Sequence, residues 1–82
     1  MIFLIEYNRP EGWLVTFERF QGSERLQAQN ARLDLELDLN RRGVDHEVVL
    51  LEAVSEAALR RTHGRYFKTL RQILESAIAD DK

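Results

Sequence analysis

The chain opens on an apolar run, Ile2 to Tyr7, in which Ile2 and Leu4 fall on one side of an extended backbone and Phe3, Ile5 and Tyr7 on the other. Apolar residues on both sides predict a central strand, covered on both faces. Asn8-Arg9-Pro10-Glu11-Gly12 reads as a turn, because Pro10 fixes φ and Gly12 accepts a positive φ. Trp13 to Phe17 predicts a second strand, and so short a link makes the pair an antiparallel hairpin.

The next segment carries two conflicting signals. Ala31 to Leu39 alternates strictly between apolar and polar residues, as a half-buried strand would. Yet residues 22 to 42 contain no Val, Ile, Thr or aromatic, and Leu, Ala, Glu, Gln and Arg dominate. Composition and end signals favour a helix over 24–42. Ser23 stands as N-cap and Glu24 suits the positive end of the helix dipole, while Arg41 and Arg42 suit the negative end and Gly43 the position beyond it. At about 100° per residue, Leu26, Leu33 and Leu37 form one stripe. Ala28, Ala31, Leu35 and Leu39 form a second, roughly opposite. A helix on a protein surface needs only one such stripe.

His46 to Glu52 predicts a third strand with a Val-Val-Leu-Leu centre, again apolar on both faces. Ser55 caps a short helix over 56–62, which Gly64 ends or bends. Beyond it, Phe67, Leu70, Leu74, Ala77 and Ile78 recur at helical spacing, and residues 79–82 make a polar tail that frays.

This order predicts one α+β domain over 1–82, a small two-layer β-β-α-β-α(α) arrangement. A right-handed crossover sets the second and third strands parallel, with the first between them and antiparallel to both. The expectation is a three-stranded mixed sheet of order 2-1-3, with its helices packed on one face. An apolar sheet face would then stay uncovered, and a homodimer would cover it more readily than the last helix of the same chain.

Composition narrows the chemistry. The 82 residues contain no cysteine, which excludes disulfides and thiolate chemistry. Net charge is −2, so bulk attraction to nucleic acid or membrane is not the main theme. The apolar start is too short for a signal peptide, and no stretch reaches the ~20 apolar residues of a membrane span. These features lead to the expectation of a cytoplasmic, bacterial-type protein.

The strongest local chemical feature is basic. Residues 57 to 74 contain no acid and carry Arg60, Arg61, His63, Arg65, Lys68 and Arg71, with Tyr66 and Phe67 among them. The functional reading is a site for an anion, a nucleotide or RNA, with amides after Gly64 holding phosphate and the aromatic rings stacking on bases. The structural reading is a solvated face paired with Asp34, Glu36 and Asp38 of the first helix.

Other candidates are weaker. His46 and His63 lack any catalytic motif around them. Asp45-His46-Glu47 cannot converge on a metal, because neighbouring strand residues point to alternate faces, and no cofactor is implied. Glu6, Glu18 and Glu52 mark strand ends, and would matter for acid–base chemistry only if they met Tyr7 in one pocket. Trp13, Leu35 and Leu39 are the candidate interface residues. The sequence therefore favours a small interaction module acting as a homodimer or docking on another protein. Anion or RNA binding is the alternative, and an enzyme comes third.

Overall fold

The computed structural model describes residues 1–67. The last helix and the polar tail expected from the sequence, together with Lys68 and Arg71, lie outside the described residues.

β1 (Ile2–Asn8) and β2 (Trp13–Phe20) form the expected hairpin. Gly12 has φ 77, which its missing Cβ permits. Its N–H donates to the Asn8 carbonyl at 2.7 Å, and the Asn8 side chain accepts from the Glu11 N–H at 3.1 Å. The pairing shifts between Glu6, opposite Thr16, and Tyr7, opposite Leu14, so Val15 is an extra residue on β2. This bulge changes the parity of the strand. Leu14 and Thr16 would otherwise share a face. Across the bulge, Leu14 packs with the core on the Tyr7 side, while Thr16 turns to Glu6 on the other side.

A short 3₁₀ turn, Gly22–Glu24, leads into α1 (Arg25–Arg42). Ser23 lies within this turn and caps nothing; the Glu24 carboxylate instead accepts the Gln21 N–H at 2.7 Å. α1 ends as its sequence implies. Gly43 adopts φ 68, its N–H donates to the Asn40 carbonyl, and the Val44 N–H donates to the Leu39 carbonyl at 2.9 Å. β3 (Glu47–Glu52) then pairs with β1, and α2 (Glu56–Thr62) starts with the Ser55 hydroxyl accepting the Ala58 N–H at 3.1 Å. A second 3₁₀ turn covers Gly64–Phe67.

The sheet has the order β2-β1-β3, with β1 in the middle. β2 and β3 run in the same direction but never pair. Both ladders are antiparallel, so the sheet is antiparallel and not mixed.

The expectation of helices on a single face is also corrected. Phe3, Ile5 and Tyr7 form a core with Leu59 of α2 and Tyr66, flanked by Leu14, Phe17, Val49 and Leu51. The opposite face carries Ile2, Leu4 and Glu6, and α1 lies along it. A seven-residue helix suffices to close the first face because Leu59, its one fully buried side chain, is backed by the Tyr66 ring. Burying an aliphatic or aromatic side chain of this size stabilises by about 1.5–3 kcal/mol. Both sheet faces are thus served within one chain.

α1 resolves its two stripes unequally. Ala28 and Leu39 are 0% and 4% exposed, with Ala31 and Leu35 half-buried beside them. On the opposite side, Leu26, Leu33 and Leu37 remain 67%, 53% and 51% exposed.

Candidate functional site

The outer face of α1 is the most unusual surface among the described residues. Leucine side chains favour burial, yet three of them line one edge of a helix whose other edge is already packed on the sheet. Leu26, Leu33 and Leu37 follow a spacing of seven and four, with Asn30 and Asn40 completing a 4-3-4-3 series. Ion pairs within the helix flank this stripe. Arg32 Nε lies 2.6 Å from Glu36, and Arg42 Nη2 lies 2.9 Å from Asp38. Glu36 and Asp38 therefore pair inside the helix, and among the described residues neither contacts Arg60, Arg61 or Arg65.

Of the interface residues expected from sequence, Leu39 is buried against the sheet and Leu35 is half-buried beside it. The stripe they share is the inward one, so the candidate surface moves to the opposite leucines. Trp13 is exposed at the start of β2.

Within the described part of the basic segment, Arg60 and Arg65 are engaged by contacts within the chain. Glu47 accepts from Arg9 Nε at 2.8 Å, from Arg65 Nη2 at 3.0 Å and from the Tyr66 hydroxyl. The Arg65 guanidinium also lies over the Tyr66 ring, 4.5 Å from its centroid. Arg60 sits 3.8 Å from Glu56 and covers Phe67. Arg61 is exposed, and His63 Nδ1 lies 2.9 Å from the Thr62 hydroxyl. Neither aromatic ring is free for stacking on a base. Tyr66 meets Tyr7 edge to face at 5.3 Å, and Phe67 meets Phe17 likewise at 5.4 Å.

The Tyr66 hydroxyl is the chief cause holding the Glu47 carboxyl below its ordinary pKa, with the Arg9 contact adding to it against the opposing effect of burial. Burial raises the Tyr66 phenol. A depressed carboxylate stabilises the fold above the ordinary carboxylate range, and that contribution disappears as pH falls through the folded-state value. Tyr66→Phe is therefore expected to raise the Glu47 pKa. It should lower the unfolding free energy near neutral pH by about 1.5–3 kcal/mol, the range for hydrogen bonds to charged groups. The gap between variant and parent should close in acid. Denaturant unfolding at pH 7 and pH 3 reads this directly, and a gap independent of pH would refute the linkage.

A third cluster escaped the sequence reading. Glu6, buried in the middle of β1, accepts the Thr16 hydroxyl at 2.8 Å and lies 2.5 Å from His46 Nδ1. Tyr7, next to it in sequence, faces the other side of the sheet, and Glu52 is tied to Arg25. With Nδ1 held by the carboxylate, the His46 ring has a fixed orientation. His46 lines a cleft of about 290 Å³ together with Glu36, Leu39, Asn40, Val44 and Val48. The one signal available in the sequence was Glu6 itself, a carboxylate within a strand that is otherwise apolar on both faces. A buried carboxyl group of that kind requires a hydrogen-bond partner.

No group of three or more metal-ligating side chains occurs among the described residues, and no helix there is long and apolar enough to cross a membrane. The chain matches no protein family, no curated protein and no solved structure.

Proposed function

We propose that the protein is a self-associating interaction module, acting in the cytoplasm, whose homodimer forms through the outer face of α1. The observation that carries this reading is the exposure of Leu26, Leu33 and Leu37 on a helix whose inward stripe is already buried. The sheet no longer supplies the motive for dimerisation, because α1 and α2 cover its two faces. The outward leucines supply it instead.

An isolated helix of eighteen residues is marginal in water. Here the sheet holds α1 in place, so association orders side chains only and the conformational cost of binding is small. Basic charge weighs little in this reading, since Arg60 and Arg65 already have carboxylate partners.

The parent protein is expected to sediment at twice its chain mass at about 100 μM, a concentration that reports weak association. Leu33→Gln/Leu37→Gln should sediment as a monomer, with far-UV dichroism and denaturant stability preserved, because glutamine is a good helix former. A monomeric parent would defeat the proposal, as would a double variant that keeps the parent's mass.

A further inference from the structure

We infer that the second copy docks with its α1 parallel to the first, in register, around a two-fold axis running along the helix pair. This rests on the homodimer reading above and adds an orientation to it. The series Leu26, Asn30, Leu33, Leu37 and Asn40 occupies alternating d and a positions of a heptad, and all five lie on the side of α1 away from buried Ala28 and Leu39. The flanking positions then follow. Gln29 and Glu36 border the seam on one side, while Asp34 and Arg41 border it on the other.

Charge separates the two orientations. In a parallel pair each flank meets the opposite flank of its partner, five residues on. Glu36 then meets the partner's Arg41 and Gln29 meets the partner's Asp34, each twice by symmetry. In an antiparallel pair each flank meets itself. Glu36 would face its own copy, as would Asp34, setting like charges together on both sides of the seam. Arg41 has no ion pair among the described residues, whereas Glu36 holds Arg32 through an exposed contact that a second cation can share.

Leucine burial points the same way. The parallel arrangement stacks Leu26, Leu33 and Leu37 each on its own copy. An antiparallel seam centred on Leu33 and Leu37 sets Leu26, the most exposed of the three, against the loop after Gly43. The amides of Asn30 and Asn40 find partners in either orientation, so they do not discriminate. A polar residue at an a position fixes register once the orientation is chosen.

The test uses the absence of native cysteine. Leu26→Cys, dimeric by sedimentation when reduced, should form a covalent dimer on mild oxidation. A disulfide needs Cα atoms within about 7 Å, whereas the two positions lie some 20 Å or more apart in an antiparallel pair, at about 1.5 Å per residue. In parallel, Glu36→Arg should weaken association about 2- to 30-fold, the range for losing two symmetry-related exposed ion pairs, and Glu36→Arg/Arg41→Glu should restore it. Failure to cross-link, with Glu36→Arg leaving association unchanged or tighter, would overturn the parallel arrangement while leaving the homodimer intact. A monomeric parent would overturn both.

Discussion

Leu59→Ala is expected to lower the unfolding free energy by about 2–5 kcal/mol, whereas Leu26→Ala should leave it within about 0.5 kcal/mol of the parent in dilute solution. The chemical change is the same, and the difference lies in where each leucine sits. Leu59 is the only fully buried side chain of α2, and it belongs to one core cluster with Phe3, Ile5, Tyr7 and Tyr66. Shortening it removes apolar burial and leaves a cavity that a rigid sheet on one side and a tyrosine ring on the other cannot close. For a chain of 82 residues, total stability is on the order of 4–12 kcal/mol. Such a loss would leave a considerable fraction unfolded at 37 °C. Denaturant unfolding below the concentration at which the protein associates measures both variants. A cost below about 1 kcal/mol for Leu59→Ala would mean that α2 does not close the Phe3 face as described.

The second large effect concerns Glu6. Glu6→Ala is expected to cost about 1–3 kcal/mol, because it strips the acceptor from the Thr16 hydroxyl and the hydrogen-bond partner from His46 beside the sheet. Replacing the whole cluster should behave differently. Glu6→Leu, Thr16→Val and His46→Leu together remove every polar group that requires a partner, and apolar residues of similar size often match or exceed a buried polar cluster in stability. The triple variant is therefore expected within about 1 kcal/mol of the parent or above it. If the triple variant is as unstable as Glu6→Ala, the cluster is contributing net stability and the argument from desolvation fails here. A stable triple variant would raise the question of why the chain keeps a carboxylate, a hydroxyl and an imidazole at the edge of a cleft.

Much of the fold was legible because local chemistry fixed it. Gly12 and Gly43 each occupy a positive-φ position that closes an element, and Ser55 caps α2 with its hydroxyl. Leu, Ala and Gln, without β-branched residues, outweighed the alternating pattern of 31–39 and gave α1 its state. The two-sided apolar character of β1 placed it at the centre of the sheet.

What could not be read lay in contacts between distant residues. Leu59 is the single apolar anchor of a short helix, too little pattern to reveal which sheet face it covers. Its partner Tyr66 lies within a basic segment and drew a reading as a ligand contact, when its ring in fact completes the core. Both stripes of α1 have the same chemistry in sequence, so Leu39 and Leu33 could be told apart only once the sheet was in place. Glu6 and His46 are forty residues apart and meet only through the β1–β3 ladder. The extra residue Val15 changes which β2 side chains reach Glu6, a shift that period-two counting misses.

The central position of β1 also shapes how the chain acquires its structure. Its ladder with β2 closes over the four residues of the turn, whereas its ladder with β3 brings Ile2 opposite Glu52, fifty residues away. Short-range pairing forms quickly, and closing so long a loop is slower. During synthesis the hairpin therefore waits for β3 with one bare edge, a row of unpaired amides and carbonyls flanked by Phe3, Leu4 and Ile5. That is a template for intermolecular strand addition. The interval between the emergence of Phe20 and of Glu52 is thus the period of greatest aggregation risk, and chaperone demand should follow the length of the α1 segment more closely than the final stability of the fold.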